Sequence, residues 1–106
     1  DLAAPAAAVR HLTRANDPIF VWGNDAERLY TAAERRPASG YFQVSKQLQP
    51  KFLGEFVVKD LERIKARAIV DLGTEKFRFA PDLADYISRS YRLAETGRDY
   101  RIYARK

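Results

Sequence analysis

At 106 residues the chain has the length of one domain, and a hydrophobic fraction of 46% with 12% aromatics excludes intrinsic disorder. It has no cysteine, which excludes a disulfide framework, a thiolate zinc centre and a cysteine nucleophile, and its single histidine, His11, argues against histidine metal sites and histidine-activated nucleophiles. The net charge of +5 is uneven, because Arg89, Arg92, Arg98, Arg101, Arg105 and Lys106 near the C-terminus face only Glu95 and Asp99, so that basic end either meets phosphates of nucleic acid or lipid or is a plain solvated surface.

The first predicted element is a short helix over Pro5-Ala-Ala-Ala-Val9-Arg-His11-Leu12-Thr-Arg14-Ala15. Pro5 falls in its first turn, where a missing N–H costs nothing, and Val9 and Leu12 supply the apolar stripe. Asn16-Asp17-Pro18 stops it. Ile19-Phe20-Val21-Trp22 is a continuous apolar run ending at Gly23, the pattern of a strand buried on both faces.

Asn24, with Glu27 three residues on, reads as a capping box for a helix over Asp25–Ala33, which the Arg35-Arg36-Pro37 stretch ends. A short strand is expected around Gly40–Val44. The clearest helical pattern covers Lys51–Lys65, where Leu53, Phe56, Val57, Leu61 and Ile64 recur at 3-and-4 spacing. Ala68-Ile69-Val70 reads as the third strand and closes at Asp71-Leu72-Gly73. Pro81 opens a fourth helix with Leu83, Tyr86 and Ile87 facing inward and Tyr91 near its end. Thr96-Gly97-Arg98 then joins Tyr91–Glu95 to Asp99–Arg105 as an antiparallel hairpin.

This alternation predicts a single three-layer α/β domain over residues 1–106. Its mixed sheet should hold roughly five strands, about three of them parallel, with helices on both faces and the hairpin at one edge. In the parallel part the first strand is placed between the second and the third.

In open α/β sheets ligands sit beyond the carboxyl ends of the strands. Here those ends are Trp22-Gly23-Asn24-Asp25 and Asp71-Leu72-Gly73-Thr74, so an indole and carboxylates converge on a crevice suited to a hydroxyl-rich or cationic group. The plainer reading gives Asn24 and Asp25 a capping role and Asp71 a turn role. Glycine-rich phosphate loops and serine elbows are absent, so no nucleotide cofactor, metal or catalytic residue is assigned. His11 is placed away from those carboxyl-end loops, as a surface or capping histidine. Along the last strand Arg101, Tyr103 and Arg105 share one face, an arrangement that can stack on bases and neutralise phosphates, or protect an edge strand against pairing.

Val21-Trp22-Gly23-Asn24-Asp25 with Tyr30, then Arg35-Arg36-Pro37-Ala38-Ser39 with Tyr41, Asp60-Leu61, Ala68-Ile69-Val70-Asp71 and the ending Tyr100-Arg-Ile-Tyr103-Ala-Arg105 keep the order of several separated motifs. In this the chain resembles the soluble C-terminal domain of bacterial polytopic GT-C membrane glycosyltransferases of the protein-mannosyltransferase and aminoarabinose-transferase type, family 39. The specific part runs from Ile19 to Phe42. Gly40 departs from the pattern, since an arginine is expected after the serine, and no proline precedes Ala68. The resemblance implies a non-catalytic extracytoplasmic domain, a fragment of a larger membrane protein, attached after the last membrane span. The absence of methionine and the start at Asp1 fit such a cut-out.

The implied partners are the membrane-embedded part of the same chain and a saccharide or polyprenyl-phosphate sugar, with Trp22, Asn24, Asp25, Arg36 and Asp71 as candidate ligand-binding residues. In such enzymes the catalytic carboxylates lie in the membrane part, so the domain itself is expected to carry no catalytic residue. The alternative is a stand-alone module that binds nucleic acid through Arg101, Tyr103 and Arg105 on the basic hairpin.

Overall fold

The computed structural model describes residues 2–23, 25–38, 58–72 and 81–106, with the side chains of residues 81 and 82 excepted. The elements in chain order are α1 (Ala3–Leu12), β1 (Ile19–Trp22), α2 (Ala26–Ala33), a helix α3 over residues 58–64, β2 (Ala68–Asp71), α4 (Pro81–Ser90), β3 (Tyr91–Thr96) and β4 (Arg101–Arg105). Among the described residues no helix is long and apolar enough to cross a membrane. The strand expected at Gly40–Val44 and the first part of the helix expected from Lys51 lie outside the described residues.

The sheet is mixed, with the order β1-β2-β4-β3. β1 and β2 are parallel, with Ile19 opposite Ala68 and Trp22 opposite Asp71. β4 runs antiparallel to β2 on one side and to β3 on the other. The predicted α/β class and the hairpin at one edge are therefore present. Within the hairpin, β3 is the outer strand and β4 is internal, so the arginines of β4 do not guard an edge.

The strands are buried on both faces because each residue type alternates between two cores, as the two-residue period of a strand requires. Ile19 and Val21 of β1, Ala68 and Val70 of β2 and Ile102 of β4 face α1 and α2. Phe20, Trp22 and Ile69 face α3 and α4, where Leu61, Leu83, Tyr86 and Ile87 complete the layer and Tyr103 packs against it. α2 buries Ala26, Leu29, Tyr30 and Ala33, the spacing that puts side chains on one helical face.

Several local expectations are corrected. α1 stops at Leu12 rather than continuing to Ala15. Asp25, not Asn24, occupies the N-cap of α2, and its side chain makes no capping hydrogen bond. Its carboxylate instead pairs with Arg28 at 3.7 Å, one turn on, so the capping box does not form around it. α2 ends at Ala33 as expected, but the stop is made by Glu34 rather than by the proline: its left-handed backbone (φ 57°) lets the N–H groups of Glu34 and Arg35 cap the carbonyls of Thr31 and Tyr30. Tyr91 is the first residue of β3, the strand that follows α4 directly, and not part of that helix.

Lys65 closes α3 with the same left-handed backbone (φ 58°) and an N–H donated to the Leu61 carbonyl. Side chains with a Cβ pay for this conformation, whereas glycine adopts it freely. Glu34→Gly and Lys65→Gly, both at exposed positions, are each expected to stabilise the domain by about 0.5–1 kcal/mol once the entropy of the freer unfolded chain is subtracted. Thermal unfolding of the double variant should rise by several degrees; an unchanged or lower midpoint would contradict the strain.

Candidate functional site

The carboxyl ends of β1 and β2 do bring Trp22 and Asp71 to one level, since they are register partners. Arg101 of β4 stands opposite Asp71 on the other side, so an indole, a carboxylate and a guanidinium follow one another across the sheet. Opposite charges in directly facing positions stabilise a ladder. Asp71 is 2% exposed and Trp22 is fully buried, with its ring tilted against Phe20 at a centroid separation of 6.0 Å. Of the residues named for this crevice, Asp25 is exposed on the rim and Asn24 lies outside the described residues. Arg36 is at the opposite end of β1: its carbonyl accepts the Ile19 N–H, and its guanidinium donates to the Asn16 carbonyl at 3.4 Å. The structure thus unites Trp22 with Asp71 and separates Arg36 from both.

The outer edge of β1 is closed by two devices. Near its start, Ile19 exchanges hydrogen bonds with Arg36 and Ala38, forming a parallel bridge to Pro37. Two residues further along the same edge, the buried Val21 N–H donates to the Tyr30 hydroxyl at 2.9 Å. Tyr30 reaches this N–H from α2 and takes the place of a neighbouring strand's carbonyl.

The basic hairpin residues are also divided. Arg101 is exposed, Tyr103 packs inward against the α3 and α4 layer, and Arg105 is bound by tyrosines. Its guanidinium donates to Tyr86 Oη at 3.3 Å and Tyr91 Oη at 3.5 Å, and lies 5.8 Å from the centre of the Tyr91 ring. Tyr91 in turn donates to the Ala66 carbonyl at 2.6 Å. Arg105 therefore stays charged and fixed in direction, while the three residues do not form one open face.

Burial pushes the Tyr30 phenol up, outweighing the opposing donation from Val21, and it pushes the Tyr91 phenol up as well, with Tyr86 adding to the shift and Arg105 opposing it. A folded-state value above the ordinary tyrosine value of about 10 means that unfolding releases protons in alkali. This contribution to stability is complete below pH 10 and is lost as pH rises, with a slope of about 1.4 kcal/mol per pH unit for each proton released. Phenolate absorbance should accordingly show Tyr30 and Tyr91 ionising only together with loss of helical circular dichroism. Ionisation of all tyrosines in the folded protein would contradict their burial.

At the other end of the sheet, where β1 and β2 begin, lies a cleft of about 380 Å³ that the sequence reading did not single out. Backbone hydrogen bonds set its base: the Arg67 N–H donates to the Pro18 carbonyl, and the Arg67 carbonyl accepts the Arg105 N–H. Arg92 is brought in as the register partner of Ala104. The turn after α1 supplies Arg14 and Asp17, and the helix end supplies His11. Asp17 accepts the Arg14 N–H at 2.8 Å and pairs with the Arg67 guanidinium at 3.9 Å. Arg35 covers the end of α1, donating to Thr13 Oγ1 at 2.9 Å and to the Thr13 carbonyl at 3.3 Å. Arg14, Arg67, Arg92 and Arg105 line this cleft together with one acidic residue, Asp17. The Arg105 guanidinium, however, is turned to Tyr86 and Tyr91 on the α4 side of the sheet, so Arg105 borders the cleft through its backbone, next to Arg67. Among the described residues no group of acidic, histidine or cysteine side chains is placed to hold a metal.

No protein-family model matches the chain, and no curated protein sequence does so. Among solved structures, the chain is similar to the C-terminal globular domain of an oligosaccharyltransferase from Archaeoglobus fulgidus, with a TM-score of 0.57 at 12% identity. The likeness covers 97% of this chain and 95% of that one, so the two share their fold from end to end.

Proposed function

We propose that the chain is a non-catalytic, extracytoplasmic C-terminal domain of a membrane glycosyltransferase that uses a polyprenyl-phosphate sugar. The observation that carries this reading is the near-complete overlap in fold with the C-terminal globular domain of an oligosaccharyltransferase, at 97% and 95% coverage. The ordered motifs from Val21 to Arg105 support it independently, since a fold likeness at 12% identity owes nothing to those residues. In this reading the domain covers the active-site cavity of the membrane-embedded part, or receives acceptor or lipid-linked sugar at the carboxyl ends of β1 and β2. There the exposed Asp25 offers hydrogen-bond acceptors to sugar hydroxyls, and the buried Trp22 and Asp71 form the packed floor beside it.

The test is the parent reading frame. Upstream of Asp1 it should encode a run of membrane-spanning helices, and a parent without them would end the proposal. Saccharide contact is tested separately by NMR titration, in which the amides of Gly23, Asp25 and Leu72 should move. If they stay still, the covering role is retained and the binding role is lost.

A further inference from the structure

The geometry points to a phosphate-binding site in the cleft at the starts of β1 and β2, made for a compact anion carrying a phosphate monoester or diphosphate. Arg14, Arg67 and Arg92 are its ligands, and the backbone of Arg105, bonded to that of Arg67, closes its base. This is independent of the proposed glycosyltransferase context, and it lies at the opposite end of the sheet from Trp22 and Asp71.

Arg14, Arg67 and Arg92 line one cleft with a single acidic residue, Asp17, so these three cations and one carboxylate leave an excess of two positive charges there. An anion of two or more negative charges balances that excess. Guanidinium suits it better than ammonium, because its planar fork gives two parallel hydrogen bonds to one phosphate. One of the cations is already oriented without a ligand: Asp17 lies beside the Arg67 guanidinium at 3.9 Å, so less side-chain entropy is lost on binding. The third requirement is access, which the cleft meets: Arg14, Arg67 and Arg92 are all exposed. The base is rigid, because consecutive backbone hydrogen bonds tie Pro18, Arg67 and Arg105 across neighbouring strands. A volume of about 380 Å³ admits a diphosphate and lies near the lower end of the range for small-molecule sites.

The experiment titrates the chain with inorganic pyrophosphate at low ionic strength, followed by calorimetry and by the amide signals of Arg14, Arg67 and Arg92. One saturable site is expected, weakening steeply as sodium chloride is raised. Arg67→Gln with Arg92→Gln removes two charge-assisted hydrogen-bonding groups and should weaken binding at least about tenfold. Arg14→Gln, in the turn outside both cores, should weaken it as well while leaving the melting temperature unchanged, which separates a lost ligand from a damaged fold. A second arm adds phosphatidylcholine vesicles with and without phosphatidic acid. Co-sedimentation that requires phosphatidic acid and is lost in the same variants assigns the phosphate to a lipid headgroup. Pyrophosphate binding without co-sedimentation assigns it to a soluble ligand. No saturable pyrophosphate binding, or binding of equal strength in the folded variants, would overturn the site.

Discussion

Replacing Trp22 with alanine is expected to destabilise the domain by about 3–5 kcal/mol, a large share of the about 5–15 kcal/mol that holds a domain together. The indole heads the fully buried side chains and sits on the last residue of β1, under α3 and α4. Its neighbours are fixed in place: Phe20 belongs to the same strand, Ile69 is held by the parallel ladder, and Leu83 and Tyr86 are carried by α4. They cannot close over the void, so lost transfer energy and residual cavity both count. Urea unfolding followed by circular dichroism measures the loss, and Trp22→Phe should recover much of it. Trp22 is the one tryptophan of the chain, and iodide should quench its fluorescence only weakly. A loss under about 1 kcal/mol would instead make Trp22 a surface group, available to a ligand directly.

Tyr30→Phe should lower stability by about 1–3 kcal/mol, although only one oxygen is removed. The phenyl ring keeps its packing beside Leu29 and Ala33 in the α1 and α2 layer. What changes is Val21, whose buried N–H loses its acceptor on the side of β1 away from β2. An unsatisfied donor in a dry strand loses its whole hydration, which is why the penalty exceeds the net worth of an ordinary hydrogen bond. Hydrogen exchange supplies the specific readout: the Val21 amide should exchange much faster in the variant, while the Phe20 amide changes little. Equal stability with an unchanged Val21 amide would show that water or backbone reaches this edge.

The two parallel strands were legible because their residues leave few alternatives. Ile19-Phe20-Val21-Trp22 and Ala68-Ile69-Val70 are apolar without alternation, which only a sheet covered on both sides accommodates. Once both are parallel, the rule of carboxyl ends brings Trp22 and Asp71 together, as found. The position of Arg36 was not legible. It depends on the chain after α2 turning back along the start of β1, and the left-handed Glu34 that directs this turn is neither glycine nor asparagine. The start of the hairpin at Tyr91 was read, but the helix was also carried to Tyr91, since no proline or glycine marks the passage from helix to strand.

The basic cleft was hidden for a further reason. Arg14, Arg67, Arg92 and Arg105 come from separate stretches of chain and meet only through the pairing of Pro18, Arg67 and Arg105. Beyond the basic C-terminal end, which already held Arg92 and Arg105, the available signal was that Arg14 lies in the turn leading into the first strand and Arg67 immediately precedes the second. Both strands begin at the same end of the sheet, so their preceding residues had to be neighbours.

The closure of both rims of the described sheet restricts how this domain meets anything else. On one flank, Tyr30 and the turn through Pro37 occupy the donors of β1. On the other, the register of β3 slips between Leu93 and Glu95, which breaks the straight ladder that an incoming strand would copy. Growth by strand addition, whether onto a second molecule or along a fibre, finds no continuous template on either side. Crowded copies of the domain should accordingly not join edge to edge through the described sheet.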